Sequence, residues 1–195
     1  MSLAPPLSPG FAAPATEAQR CFRALLEAMS RPGRVRSLPA PAAPPAPLGP
    51  AAAAVLLTLA DADAPVWLDA GPAAEAWARF HAGCPLVAEP GAAAFALATG
   101  APPALDALEA GTEEEPHRSA TLILQVAALE EGAGWRLSGP GIEREHRLAV
   151  AGLPEGFLAQ WAANRRRFPR GVDVILCAGV RVAALPRTVT IGEQG

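Results

Sequence analysis

The sequence predicts an α/β fold, in which a single domain carries a mixed sheet flanked by helices. A chain of 195 residues is long enough for one full hydrophobic core. Segments with apolar residues at helical spacing alternate with short apolar runs typical of buried strands. The strongest strand signal is Thr-Leu-Ile-Leu-Gln-Val within residues 120–129, which is typical of a central strand covered on both faces.

The first elements follow a Pro- and Ala-rich segment, residues 1–15, which we expect to be an extended N-terminal arm. The single domain would then span residues 16–195. Thr16 is suited to cap a first helix that ends at Ser30, before Pro32 and Gly33. Residues 34–38 then predict a short strand.

The next segment, residues 39–50, holds six prolines, which is too dense for a helix or a central strand. We expect a surface loop inserted within the domain. A small-residue helix at 51–59 and a buried strand at 66–69 follow, and Pro72 is well placed in the first turn of a helix that runs through Phe80.

The remaining pattern predicts short strands at 85–88 and 93–99, a helix near 102–110 and the central strand at 120–129. Residues 135–137 are expected to pair beside that strand after a glycine turn. A helix at 154–165 precedes strands at 172–177 and 181–185, which flank an Ala-Gly turn and predict an antiparallel hairpin.

Composition excludes several kinds of chemistry. All 16 basic residues are arginine, so a lysine Schiff base with pyridoxal phosphate (PLP) and a P-loop lysine are both impossible. We therefore expect no PLP and no other cofactor. The net charge of −3 disfavours a broad nucleic-acid surface. No apolar run is long enough to cross a membrane, and the N-terminus lacks a basic signal region, so a cytoplasmic protein is expected.

Cysteines and histidines do not form a metal pattern. Three cysteines at distant positions suit neither a disulfide framework nor a zinc site, and no histidine has a second ligand at metal spacing. We expect buried packing for Cys21 and Cys177. Cys84, before a proline, is the plausible reactive thiol.

Two aspartates join the helix at 51–59 to the strand at 66–69. Asp61 and Asp63 are suited to hold a metal ion or a ribose, because α/β folds bind ligands at strand ends. They are equally suited to a tight turn before Pro65, since short carboxylates accept hydrogen bonds from nearby backbone amides. The turn interpretation is favoured.

Arginine-rich segments offer two further kinds of site. Arg79 and His81 end a helix, where they are suited to hold an anion or simply to cap the helix. Arg187 follows the last predicted strand and is suited either to grip a phosphate or to dock a partner surface. A cluster of four arginines surrounds Phe168; because arginine and aromatic residues are enriched at interfaces, docking to a partner is favoured over ligand binding for Arg165, Arg166, Arg167 and Arg170.

Taken in order, several segments resemble the PhnH family, the H subunit of the bacterial carbon-phosphorus lyase machinery. Each is weak alone, but the ordered set is specific and covers nearly the whole chain. The matching segments are 22–33, 56–68, Arg79-Phe80-His81 with Pro85-Leu86-Val87, Gly111-Thr112, 120–126, Gly139-Pro140-Gly141-Ile142, Phe168-Pro169 with Gly171 and Asp173, and Pro186-Arg187-Thr188.

The resemblance implies a fold similar to the large domain of PLP-dependent transferases, without PLP, and a homodimer in isolation. It implies a subunit that works beside the G, I and J subunits to attach a phosphonate to the ribose of a nucleoside triphosphate. The I subunit would carry that chemistry, and the J subunit would cut the carbon-phosphorus bond. This chain would be an accessory subunit; the alternative is direct phosphonate or nucleotide binding in a cleft near Asp61, Asp63, Arg79, His81 and Arg187.

Overall fold

The computed structural model describes residues 8–41 and 43–192. Within them the chain forms four helices and nine strands. In chain order they are α1 (Pro14–Ser30), β1 (Arg36–Ser37), α2 (Pro50–Leu59), β2 (Val66–Leu68), α3 (Gly71–Ala82), β3 (Phe95–Ala98), β4 (Thr121–Gln125), β5 (Ala128–Ser138), β6 (His146–Ala151), α4 (Phe157–Arg165), β7 (Asp173–Ala178), β8 (Arg181–Leu185) and β9 (Thr190–Gly192).

The main sheet confirms the predicted α/β class. Its six strands lie in the order β1-β8-β7-β4-β3-β2, and β2, β3, β4 and β7 run parallel. β8 is antiparallel to β7, so the predicted late hairpin is confirmed and the sheet is mixed. β4 lies in the middle, as expected for its apolar run, with Leu122 between Ala96 and Val174.

The two faces of this sheet carry separate hydrophobic cores. Because successive strand residues point to opposite faces, Ile123 packs with the residues of α1, α2 and α3, while Leu122 and Leu124 pack toward α4 and a second sheet. α2 lies deepest in the helical layer, and residues 51–56 are fully buried. Its alanines allow α2 to contact α1, α3, β4 and β7 at once.

The second sheet was not predicted. β5 pairs antiparallel with β6 and with β9, and residues 135–137 lie within β5, so their expected pairing beside β4 is wrong. The expected strand at 120–129 divides after Gln125, where the N–H of Ala127 donates to Ala151 across the second sheet. Apolar periodicity does not reveal this division, because the apolar run continues across it through Val126, Ala127 and Ala128.

Two other expected elements need correction. The helix near 102–110 is only a single 3₁₀ turn, Leu105–Ala107. Pro103 disfavours the α conformation of the residue before it, and the N–H of Leu105 donates to Gln160 Oε1 on α4 at 3.0 Å instead of to a carbonyl within the segment. The strand at 85–88 is one bridge between Leu86 and Val66.

The first helix begins earlier than the expected arm of residues 1–15 allows. It starts at Pro14, so Thr16 does not cap it, and the carboxylate of Glu17 accepts the N–H of Ala13 instead. Residues 1–7 lie outside the described residues. Ser8 lies on the chain's own α3, where its carbonyl accepts the indole N–H of Trp77 at 2.9 Å.

The Pro-rich loop contributes to the core as well as to the surface. Leu48 is buried against α2, and Gln125 at the end of β4 bonds to Gly49 and Pro47. Pro50 is the first residue of α2 and not part of the loop.

All three cysteines are buried. Burial raises the pKa of each thiol, and this holds for Cys84 as well as for Cys21 and Cys177. The expectation of a reactive Cys84 is therefore wrong, because a reactive cysteine needs an accessible, stabilised thiolate.

Among the described residues, no helix combines the length and apolar character that crossing a membrane requires.

Glu131 on β5 joins the second sheet to the segment between α1 and β1. Its carboxylate accepts the N–H of Val35 at 2.6 Å and pairs with Arg34 at 3.1 Å. Burial alone would raise the pKa of Glu131, but these hydrogen bonds and His146 outweigh it, so the pKa lies below its usual range. The carboxylate form is thus the one that stabilises the fold.

We predict that Glu131→Gln lowers the free energy of unfolding by about 1 kcal/mol at pH 7. The pKa of Glu131 in the folded state lies below the unfolded value of about 4.3. Its carboxylate therefore stabilises the fold at pH values above the unfolded pKa, and this contribution is lost as the pH falls through the folded-state pKa. The difference between variant and wild type should therefore shrink below about pH 4. Urea denaturation at both pH values checks this, with the exposed Glu130→Gln as control; an equal difference at both would contradict it.

Candidate functional site

Asp61 and Asp63 lie at the amino edge of the parallel strands. That edge is marked by the first residues of β2, β3, β4 and β7, which pair side by side. Open α/β sheets bind ligands at the opposite, carboxyl edge. Asp61 Oδ1 accepts the N–H of Asp63 at 3.0 Å, which is the bond of an Asx turn. The geometry therefore matches the turn interpretation.

Arg79 and His81 both lie in the last turn of α3, but their side chains contact different parts of the protein. Arg79 is exposed and weakly paired with Glu75 on the same helix, at 3.5 Å. His81 Nε2 lies 3.0 Å from the carbonyl oxygen of Ser8, and the centre of its ring lies 5.0 Å from that of Trp77, with the two rings tilted by 54°. His81 therefore holds the N-terminal segment onto α3.

Arg187 is held in a largely buried network. Its Nη2 lies 2.6 Å from Asp173 Oδ2, its Nε lies 3.2 Å from Asp173 Oδ1, and its backbone N–H also donates to Asp173 at 2.7 Å. The same guanidinium donates to Ser119 Oγ and to the carbonyl of Pro116 at 2.8 Å. Its Nη1 also lies 3.5 Å from the carbonyl oxygen of Pro169. All five N–H positions of the guanidinium therefore face protein acceptors, which favours a structural role.

The five residues of the expected ligand cleft do not share one cavity. Asp63 lines a cavity with Arg118, Arg79 lines another along α3, and Arg187 lines a third beside Phe168. Within residues 8–41 and 43–192, no group of three or more His, Cys, Asp and Glu side chains is placed to hold a metal ion.

The arginine cluster at the end of α4 divides between two surfaces. Arg165 lines the Phe168 cavity, and Arg167 lines a smaller one beside Asp106. Asn164 fixes the position of this helix end, because its side chain is buried and bonds both the N–H and the carbonyl of Val172, at 2.8 and 2.9 Å. The cluster is thus carried by a rigid support.

We call the exposed region around this cavity the Phe168 surface; its lining residues are Pro140, Arg165, Phe168, Arg187 and Thr188. Phe168 is 62% exposed, and the cavity beside it measures about 330 Å³. Three distant parts of the sequence meet here: the turn after β5, the end of α4 and the segment after β8. Pro140, Phe168 and Arg187 all lie in sequence segments on which the family resemblance is based.

Comparison with known proteins confirms that resemblance. The family model described as "Bacterial phosphonate metabolism protein (PhnH)" matches residues 9–192. The chain belongs to the PhnH family. A relative from Rhizobium meliloti (strain 1021), named alpha-D-ribose 1-methylphosphonate 5-triphosphate synthase subunit PhnH, is 45% identical over 193 residues, covering 96% of each chain. A Stutzerimonas stutzeri protein, named putative C-P lyase subunit protein HtxG, is 42% identical over 85 residues, or 44% of each chain.

Sequence reasoning missed two features of this PhnH chain. Asp173 and Ser119 were not expected as partners of Arg187, and only the family segment containing Asp173 pointed to that position. A second, larger cavity beside the end of α1 was also missed. The feature of the sequence that points to this cavity is a group of three arginines within residues 31–36. From the sequence alone, we interpreted these residues only as a helix end and a short strand.

We predict that Arg187→Ala lowers the free energy of unfolding by about 3 kcal/mol, because it leaves the carboxylate of Asp173 largely buried and without its charge partner. Equilibrium urea denaturation measures this. Arg166→Ala, at an exposed position of the same region, should change stability by less than about 0.5 kcal/mol. An Arg187→Ala variant as stable as Arg166→Ala would contradict the structural role.

Proposed function

We propose that the chain is an accessory subunit of the carbon-phosphorus lyase machinery, which supports the formation of α-D-ribose 1-methylphosphonate 5-triphosphate from ATP and methylphosphonate. The observation that carries this proposal is the 45% identity, along 96% of both chains, to a protein named as a subunit of that synthase. The proposed partners are the G, I and J subunits, and the chain itself would not carry out the transfer.

The Phe168 surface is the proposed docking site for these partners. An exposed aromatic ring with an adjacent cavity offers an apolar anchor, and arginines are enriched at interfaces because the planar guanidinium both stacks and forms paired hydrogen bonds. Arg165, which lines the cavity, and Arg166, which follows it in the chain, are both exposed. An acidic partner segment with an apolar side chain for the cavity would complement this surface.

Further parts of the proposal concern assembly and cofactor. We propose a homodimer in isolation, supported by Phe22 and Leu26, which are 46% and 53% exposed one turn apart on α1. We propose a single domain without PLP, supported by the absence of lysine. We also propose a relationship to the large domain of PLP-dependent transferases, supported by the parallel strands and the helices that flank them. We also propose a cytoplasmic location and no binding of nucleic acid.

Co-expression with the G, I and J subunits tests the proposal. The wild-type chain should co-purify with them, and Phe168→Ala combined with Arg165→Glu should lower the recovered amount at least about tenfold, as expected for loss of an interface anchor. Phe80→Ala is the matched control, because Phe80 is 70% exposed on α3 and outside this surface.

Two results would contradict it. A wild-type chain that stays alone under co-expression would refute the subunit role. A normal complex formed by the double variant would refute the Phe168 surface as the docking site while leaving the subunit role intact.

A further inference from the structure

A cavity larger than the one beside Phe168 lies between the end of α1, β1 and the loop that joins β5 to β6. Its volume is about 610 Å³, which falls within the range of small-molecule sites, roughly 300–1,000 Å³. Four arginines line it: Arg31, Arg34, Arg36 and Arg144. We call it the arginine groove.

Two glycines bring the walls of the arginine groove together. Gly141 has φ +83° and approaches the carbonyl of Ser30 so closely that a Cβ atom there would collide with it. Gly33 has φ +81°, and a Cβ atom there would collide with Leu137 and His146. Both positions therefore need glycine, and this close approach brings the loop that carries Arg144 against the segment that carries Arg31 and Arg34.

Two of the four arginines are fixed from outside the groove. Arg36 pairs with Glu27 at 2.6 Å, and Arg34 pairs with Glu131 at 3.1 Å. Neither of these carboxylates lines the cavity, so they orient the guanidinium groups without filling the groove. A pre-oriented arginine loses less side-chain entropy when it binds an anion.

The other two arginines have no carboxylate partner. Among the described residues, Arg31 and Arg144 form no ion pair, and both are exposed. Their donors are available to a ligand. The groove also contains Glu143 and Glu145, and Glu145 faces Arg136 and Arg147 at 3.9 and 3.7 Å. Glu143 is therefore the carboxylate that opposes an anion most directly.

We propose that the arginine groove binds phosphoryl or phosphonyl oxyanions, with Arg31 and Arg144 as the main contacts. The planar guanidinium matches two oxygens of such a group at once. A chain of phosphoryl groups presents several oxyanions and uses more of the four arginines than a single group does, so a triphosphate is the preferred ligand. This site goes beyond the docking proposal, since neither Arg31 nor Arg144 belongs to the Phe168 surface.

Calorimetry on the purified full chain at low salt tests the proposal, with inorganic triphosphate, inorganic phosphate and methylphosphonate as separate probes. Triphosphate should bind most tightly. Arg31→Gln and Arg144→Gln should each weaken its binding about tenfold or more, the usual effect of losing a hydrogen bond to a charged group. Glu143→Gln should strengthen binding about two- to fivefold, because it removes the opposing charge.

Arg79→Gln is the control, because it removes the same charge from a distant surface and should leave binding unchanged. The thermal melting of all variants should match the wild type, since Arg31, Arg144 and Glu143 are exposed. If methylphosphonate binds more tightly than triphosphate, and only through the groove arginines, the phosphonyl group is the source of the oxyanion. No binding of any probe by the wild type, or an equal loss in Arg79→Gln, would overturn the proposal.

Discussion

The ion pair between Arg187 and Asp173 fixes the edge of the sheet on which the proposed docking surface is built. Asp173 is the first residue of β7, and Arg187 follows β8. The pair therefore joins the two chain ends of the β7–β8 hairpin, at the end away from its turn. The same guanidinium holds the segment before β4 through Ser119 and Pro116. Both side chains are more than four-fifths buried, so loss of one partner leaves the other charge poorly solvated.

The second constraint is that β4 is covered on both faces. Because alternate residues of β4 belong to two separate cores, each face of the sheet needs its own covering layer, and the two layers are built from different elements. Helices cover one face, while the second sheet and α4 cover the other. The second sheet thereby positions both candidate regions, since the turn after β5 borders the Phe168 surface and the following loop borders the arginine groove.

Sequence reasoning succeeded where a single local pattern determines the element. The apolar run of β4, the late hairpin and the turn of Asp61 and Asp63 are examples, since each depends on neighbours in the chain. It failed where the structure depends on distant partners. β9 reaches β5 from more than 50 residues away in the chain, and Arg187 meets Ser119 from 68 residues away. No spacing within one segment encodes such contacts.

Hydrogen–deuterium exchange of the chain, alone and with the G, I and J subunits, tests the central claim most directly. We expect slower exchange on complex formation in the end of α4 and in the residues that follow it, around Phe168, where partner contact would exclude water. The helix α3 around Phe80 should exchange at the same rate in both states. Unchanged exchange around Phe168, with new protection only elsewhere, would contradict the claim that the edge held by Arg187 and Asp173 is the docking site.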